Sequence, residues 1–233
     1  MIDITIEGPG KNALGSELMA SLLDQVRAAG GQPILLRGGG DAFSAGLNLK
    51  EVAALDPKGM ESFLRLLGDL AAELFDYPGP TVACVNGHAI AGGYILALCC
   101  DWRVGANSPR ARIGLNEVAL GLRFPARLLR MLRYQLPRLD RIVLPAGLHD
   151  PTEALRLGLL DELAAPDEAE AVARTRLEVM ARYPLDGYAA AKADLRAGVT
   201  RYDEDEEQAF LDDVIPVWTS QGVKDRVRAI LGG

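Results

Sequence analysis

Histidine is nearly absent from this chain: His88 and His149 are the only two in 233 residues. Neither stands at metal-ligand spacing with other donors, so no built metal centre is expected. Cysteine is scarce too. Cys84, Cys99 and Cys100 are an odd number in apolar surroundings, which fits reduced, buried thiols in a reducing compartment. Basic residues are outnumbered, with 25 Lys and Arg against 32 Asp and Glu and a formal net charge of -7. A general nucleic-acid binder carries the opposite footprint. Aromatics make up 6%, and Phe75 and Trp102 are too scattered to form a base-stacking platform. No apolar run is long enough to cross a bilayer. The N-terminus lacks a basic stretch followed by an apolar one, so no signal peptide is expected. The expectation is a cytoplasmic protein with neither nucleic-acid nor membrane partners.

What is present is apolar residue, 49% of the chain, enough for one large core. Ile2 to Glu7 alternates partly and predicts an edge strand. Leu14, Leu18, Leu22 and Val26 recur at helical spacing and predict a helix to about Ala29. A strand over Gln32 to Arg37 follows. Pro57 suits the first turn of a helix running to about Asp76. Thr81 to Val85 is apolar without alternation, as in a parallel strand covered on both faces. Ala91 to Cys100 is apolar on every side and predicts an interior helix. Asp101 is expected to fix the end of that helix. Strands are expected over Asp101 to Gly105 and Arg112 to Gly114, and a helix after Pro125. Asp140 to Leu144 reads as either helical or extended. A capped helix at Pro151 and a brief strand near Leu160 to Leu163 close the mixed part. From Pro166 four helices are expected, ending about Tyr183, Ala197, Trp218 and Leu231. This pattern predicts an α/β core over 1–165, built on a parallel sheet, and a helical region over 166–233.

Two glycine-bearing segments stand out. The first is Asp41-Ala42-Phe43-Ser44-Ala45-Gly46-Leu47-Asn48-Leu49-Lys50-Glu51, and the second is Val85-Asn86-Gly87-His88-Ala89-Ile90-Ala91-Gly92-Gly93-Tyr94. Each joins a strand to a helix. A helix start leaves N–H groups unpaired and favours negative charge. Two converging starts would hold an oxyanion, although glycine after a strand is more often only a turn. A third segment, Ile113-Gly114-Leu115-Asn116-Glu117-Val118, sets a carboxylate among apolar neighbours.

Together these segments resemble the crotonase, or enoyl-CoA hydratase/isomerase, superfamily. The first matches its pattern of Phe, any residue, Ala-Gly, any residue, then an acidic or amide residue. The second matches its Asn-Gly followed by a glycine pair. Gly158-Leu159-Leu160-Asp161 belongs to the same likeness, which covers roughly Leu14 to Leu231. Relatives commonly carry a longer N-terminal strand pair than this chain has room for. The resemblance implies a crotonase-like fold of repeated ββα units whose C-terminal helices cover the site and build a homotrimer or two stacked trimers. It implies Leu47 and Gly92 as backbone donors to a thioester oxygen and Glu117 as the acid/base group. Burial among leucines would raise the Glu117 pKa and suit it to proton exchange near neutrality. Coenzyme A would come as part of the substrate, with no permanent cofactor and no metal.

Hydratases of this family use a second glutamate in the helix after the glycine pair, where this chain has Ile95. An isoleucine cannot activate water. The single carboxylate resembles the short-chain mitochondrial-type Δ3,Δ2-enoyl-CoA isomerase branch, which moves a double bond from 3-enoyl-CoA to trans-2-enoyl-CoA. Another reaction of the family (hydration, or C–C cleavage) and a non-catalytic accessory role in a multienzyme complex remain the alternatives. Ser44, Ala45 and Lys50 are candidates for the coenzyme A edge, and a solvated Lys50 is the equal alternative. Asn48 is expected to cap a helix. Tyr94, Ile95, Leu115, Leu120, Leu122 and Phe124 are pocket candidates, with His88 as a wall in the turn before the donor helix. Arg123 is assigned to a polar acyl group, to a coenzyme A phosphate or to an intersubunit salt bridge.

Overall fold

The computed structural model describes residues 1–201 and 203–232; Tyr202 and Gly233, the last residue of the expected helical region, lie outside them. The strands are β1 (Ile2–Ile6), β2 (Ile34–Gly38), β3 (Ala42–Ser44), β4 (Thr81–Val85), β5 (His88–Ile90), β6 (Trp102–Ala106), β7 (Ile113–Gly114) and β8 (Glu162–Ala164). The first helices are α1 (Pro9–Asn12), a single turn left-handed at Gly10 and Lys11, then α2 (Ser16–Ala28), α3 (Leu49–Ala54), α4 (Pro57–Phe75) and α5 (Gly92–Cys99). They are followed by α6 (Ala126–Gln135), α7 (Leu139–Val143), α8 (Pro151–Arg156), α9 (Ala169–Met180), α10 (Leu185–Leu195), α11 (Glu204–Trp218) and α12 (Gln221–Leu231).

Five strands form a parallel sheet in the order β1-β2-β4-β6-β8, with β1 at an edge as its alternation predicts. The short N-terminus still pairs in register with β2 along all five residues of β1. A second, smaller parallel sheet runs β3-β5-β7. Each of its strands follows a strand of the large sheet after a short turn, so the chain repeats a ββα unit. The sequence reading assigned β3 and β5 to loop and turn. Both are only three residues long, below the length at which a period can be read. His88 is therefore a strand residue rather than a turn residue.

The absence of alternation in β2 and β4 has the expected cause. Ile34 and Leu36 join the main core with α2, α4 and α5, while Leu35 points to the other face. There Leu35, Val82, Cys84 and Val104 meet Ala169, Ala173 and Leu177 of α9. The helix expected to open the C-terminal region thus covers the outer face of the large sheet. All eight residues of α5 are buried, and the three cysteines are free and buried. Asp101 does more than follow α5. Its carboxylate accepts from the Thr81 amide (2.8 Å), the Tyr188 hydroxyl (2.8 Å), Lys192 Nζ (2.9 Å) and an Arg196 Nη (2.8 Å), docking α10 at the N-terminal ends of β4 and β6. Buried charges are tolerated when paired in this way. Among the described residues no helix is long and apolar enough to cross a membrane.

Candidate active site

The first donor segment leaves β3 through Ala45 and Gly46. Gly46 has φ 95°, a left-handed value that glycine adopts without strain. Buried Ser44 holds this bend from beneath: its hydroxyl donates to Asn12 C=O (2.8 Å) and accepts from Gly46 N–H (3.2 Å). The flanking backbone is tied to Leu14, with Leu14 N–H donating to Gly46 C=O and Asn48 N–H to Leu14 C=O, each at 2.8 Å. Those bonds fix both sides of Leu47 and leave its own N–H without a protein acceptor among the described residues. Asn48 then caps α3, accepting from the Lys50 and Glu51 amides.

The second segment is β5, Ala91 and the start of α5. Asn86 ties the preceding turn to the first segment by accepting from Gly38 N–H (3.0 Å) and donating to Gly40 C=O (2.9 Å). Ala91 sits at φ 49°, ψ −127°, a conformation that costs an alanine on the order of 1–3 kcal/mol. Its N–H donates to Gly114 C=O (2.9 Å), and its C=O accepts the first helical bond, from Ile95 (2.9 Å). Gly92 N–H, at the positive end of α5, has no protein acceptor among the described residues. The two segments touch: a Cβ on Gly92 would lie 2.9 Å from Leu47 Cδ2.

Both segments line one cavity of about 200 Å3, and Glu117 lines it with them. Glu117 opens a 3-10 turn, Glu117–Leu120, and is 6% exposed. Its Oε2 is buried with no hydrogen-bond partner. Burial pushes its pKa up to about 8, against a smaller opposing pull from its own backbone amide. The rest of the wall is apolar except for Asn116 and Arg123, and Glu117 is its only carboxylate.

Of the expected residues, Ala45, Leu47, Gly92, Ile95, Glu117, Leu120, Leu122, Arg123 and Phe124 line this cavity. Five others do not. Tyr94 is fully buried on the far side of α5, where its hydroxyl donates to Leu159 C=O (2.7 Å). Helical spacing explains this: Gly92 and Ile95 are three apart and share a face, while Tyr94 is turned away. Leu115 is wholly buried in the core. Ser44 lies beneath the donor loop, its hydroxyl bonded to the bend, and is not part of the cavity wall. Lys50 is exposed and outside the cavity wall. His88 faces the charged groups of Lys11, Asp41 and Arg112, and burial lowers its pKa. Arg123 is held within the chain: it pairs with Asp213 of α11 and stacks over Phe210, 5.7 Å from the ring centroid. The sequence reading missed Leu49, Leu67, Ile90, Leu128 and Ile230 as wall residues, and used Trp218 only as part of a helical tail. Helical periodicity marks Leu67, Leu128 and Ile230 as facing inward but gives no sign of which helices meet there, and Ile90 lies in a strand too short to show a period. Among the described residues no cluster of His, Cys, Asp and Glu suits a metal ion.

The sequence profile of the enoyl-CoA hydratase/isomerase family matches residues 1–219. "Probable enoyl-CoA hydratase echA17" of Mycobacterium avium is 31% identical over 205 residues, covering 84% of this chain and 76% of that protein. "Enoyl-CoA delta isomerase 1, mitochondrial" of Mus musculus is 35% identical over 135 residues, covering 57% of this chain and 47% of that protein. Among solved structures, human mitochondrial delta3-delta2-enoyl-CoA isomerase has a TM-score of 0.92 at 24% identity, covering 99% of this chain and 92% of that one. An enoyl-CoA hydratase from Bacillus halodurans has a TM-score of 0.84 at 25% identity, covering 97% and 95%.

Proposed function

Because the chain belongs to the enoyl-CoA hydratase/isomerase family, whose members act on acyl-CoA thioesters, we propose that it is a Δ3,Δ2-enoyl-CoA isomerase with Glu117 as its single acid/base. The observation that carries this reading is one buried carboxylate in an apolar cavity beside two unpaired main-chain amides. The thioester oxygen of a 3-enoyl-CoA accepts from Leu47 N–H and Gly92 N–H. The Glu117 carboxylate takes a proton from C2, and the electron pair spreads over the dienolate, with negative charge on the oxygen between the amides. Fixed donors are strongest where charge develops away from water. The same carboxyl group returns its proton to C4, leaving the double bond between C2 and C3.

Ile95 favours this reading over hydration. It lies in the same cavity wall, where the resemblance would put a water-activating glutamate. Crotonyl-CoA should accordingly gain little or no water when incubated with the protein, whereas 3-hexenoyl-CoA should develop conjugated-enoyl absorbance. Rapid hydration with no double-bond shift would replace isomerase by hydratase.

The pH dependence has a definite sign. The base is the ionised form of Glu117, and its raised pKa of about 8 delays ionisation. For the double-bond shift, kcat/KM reports the free enzyme's base. It should rise about tenfold per pH unit below that value and level off above it. A rate already flat at pH 6 would contradict a sheltered Glu117 base.

A further inference from the structure

Glu117 Oε2 is buried with no hydrogen-bond partner, and the one bond acting on the carboxyl group comes from the residue's own amide, so its aim depends on the backbone that carries it. That backbone is a tight turn closed by three bonds: Ala119 N–H to Asn116 C=O, Gly121 N–H to Val118 C=O, and Leu122 N–H to Glu117 C=O, each at 3.0 Å. The carbonyl of Leu120, at the end of the turn, accepts from Arg226 Nε of α12 at 2.7 Å. The guanidinium lies against Gly121, which has φ 69°; a Cβ there would stand 2.5 Å from an Arg226 Nη. Arg226 itself is seated by its neighbours. Val223 and Val227 are buried, and Ser220 caps the helix by accepting from Val223 N–H. One turn further on, Ile230 of the same helix forms part of the cavity wall.

We infer that Arg226 is a positioning residue: through the Leu120 carbonyl it fixes the turn that carries Glu117, and so couples the seating of the C-terminal helix to the placement of the proton shuttle. The inference rests on Glu117 being the acid/base of the reaction proposed above. Arg226 touches no reacting atom. Catalysis is steep in displacement, with roughly 1 Å costing about a hundredfold.

R226M keeps the aliphatic stem and removes the donor; R226K restores a donor able to reach Leu120. Two readouts are needed, steady-state kinetics on 3-hexenoyl-CoA and titration of the Glu117 carboxyl by difference infrared spectroscopy with E117Q as the blank. R226M should lower kcat about 10- to 100-fold with KM within about threefold, and R226K should recover most of that loss. The carboxyl midpoint in R226M should fall toward the ordinary range as water reaches a loosened turn. Charged groups on the elements packed about the turn include Arg226, Lys224 and the Arg228–Asp225 pair of α12, Lys50 and Glu51 of α3, and the Arg123–Asp213 pair. Loss of the Arg226 charge alone would move the midpoint upward, so a fall reports displacement of the turn. An R226M protein with kcat within twofold of wild type and an unmoved midpoint would overturn the inference. If R226M does not fold, R226K decides: near-wild-type kcat and midpoint support the inference, and a tenfold loss of kcat refutes it. If the wild type fails to isomerise at all, the function proposed above is wrong, and the titration, which needs no substrate, still decides the role of Arg226.

Discussion

Glu117→Gln should lower the rate of double-bond isomerisation about 10²- to 10⁴-fold, the range a positioned general acid–base supplies. Acyl-CoA affinity should change little, because the oxyanion donors and apolar walls remain. The same substitution should stabilise the protein in alkali. In the native state Glu117 keeps its proton up to about pH 8, whereas the ordinary glutamate value of 4.5 applies once the chain unfolds. Between those limits the native state binds the extra proton, so this group's contribution to stability falls as pH rises and is fully lost above about 8. Glutamine has no proton to lose. Near pH 9 the variant should be the more stable by about 3 kcal/mol, after allowance for its own buried amide, and near pH 4.5 the advantage should be gone and the sign reversed. Melting curves at both pH values check this. An inactive variant with no pH-dependent stabilisation would mean that Glu117 is not sheltered from water.

Gly93→Ala should be comparably damaging without touching any reacting group. A Cβ at Gly93 would stand 2.6 Å from Ser44 Cβ, Oγ and backbone oxygen, where ordinary contact begins near 3.4 Å. Ser44 cannot retreat, since its hydroxyl is bonded on both sides. The strain must therefore push β3, and with it the bend that leads to Leu47, away from α5, which begins at Gly92. A displacement on the order of 1 Å between two oxyanion donors costs about a hundredfold in kcat, and overpacking costs about 1–3 kcal/mol of stability. Gly187→Ala in α10 is the control, because nothing lies within 4 Å of that position. It should be neutral or slightly stabilising. Full activity in Gly93→Ala would show that the spacing of the two segments is not critical.

These two positions also show what the sequence could and could not convey. The motif around Gly92 and Gly93 is local, and residue types alone marked a strand, a bend and a helix start. The length of α4 and the burial of α5 were equally legible, because periodicity over many residues reports which faces avoid water. Of the small sheet only β7 was legible, as the strand expected over Arg112 to Gly114. β3 and β5 span three residues each, and their pairing joins segments tens of residues apart. The cavity walls divided in the same way. Leu120, Leu122 and Phe124 lie next to Glu117 in the chain and were found. Leu67, Leu128 and Ile230 come from three separate helices and were not. Tyr94 was misplaced because adjacency to the glycine pair outweighed the helical angle that turns it away. Arg123 was assigned only to distant or external partners, whereas it pairs within the chain, with Asp213 on α11. That choice depends on how α11 packs beside the cavity, which no local pattern encodes.

A crystal structure of E117Q with bound 3-hexenoyl-CoA tests the central claim most directly. The account predicts a thioester oxygen within about 3.2 Å of both Leu47 N and Gly92 N, with the residue-117 side chain against C2 and C4 and no ordered water beside it. A thioester oxygen that meets neither amide, or a side chain at 117 facing solvent, would contradict it.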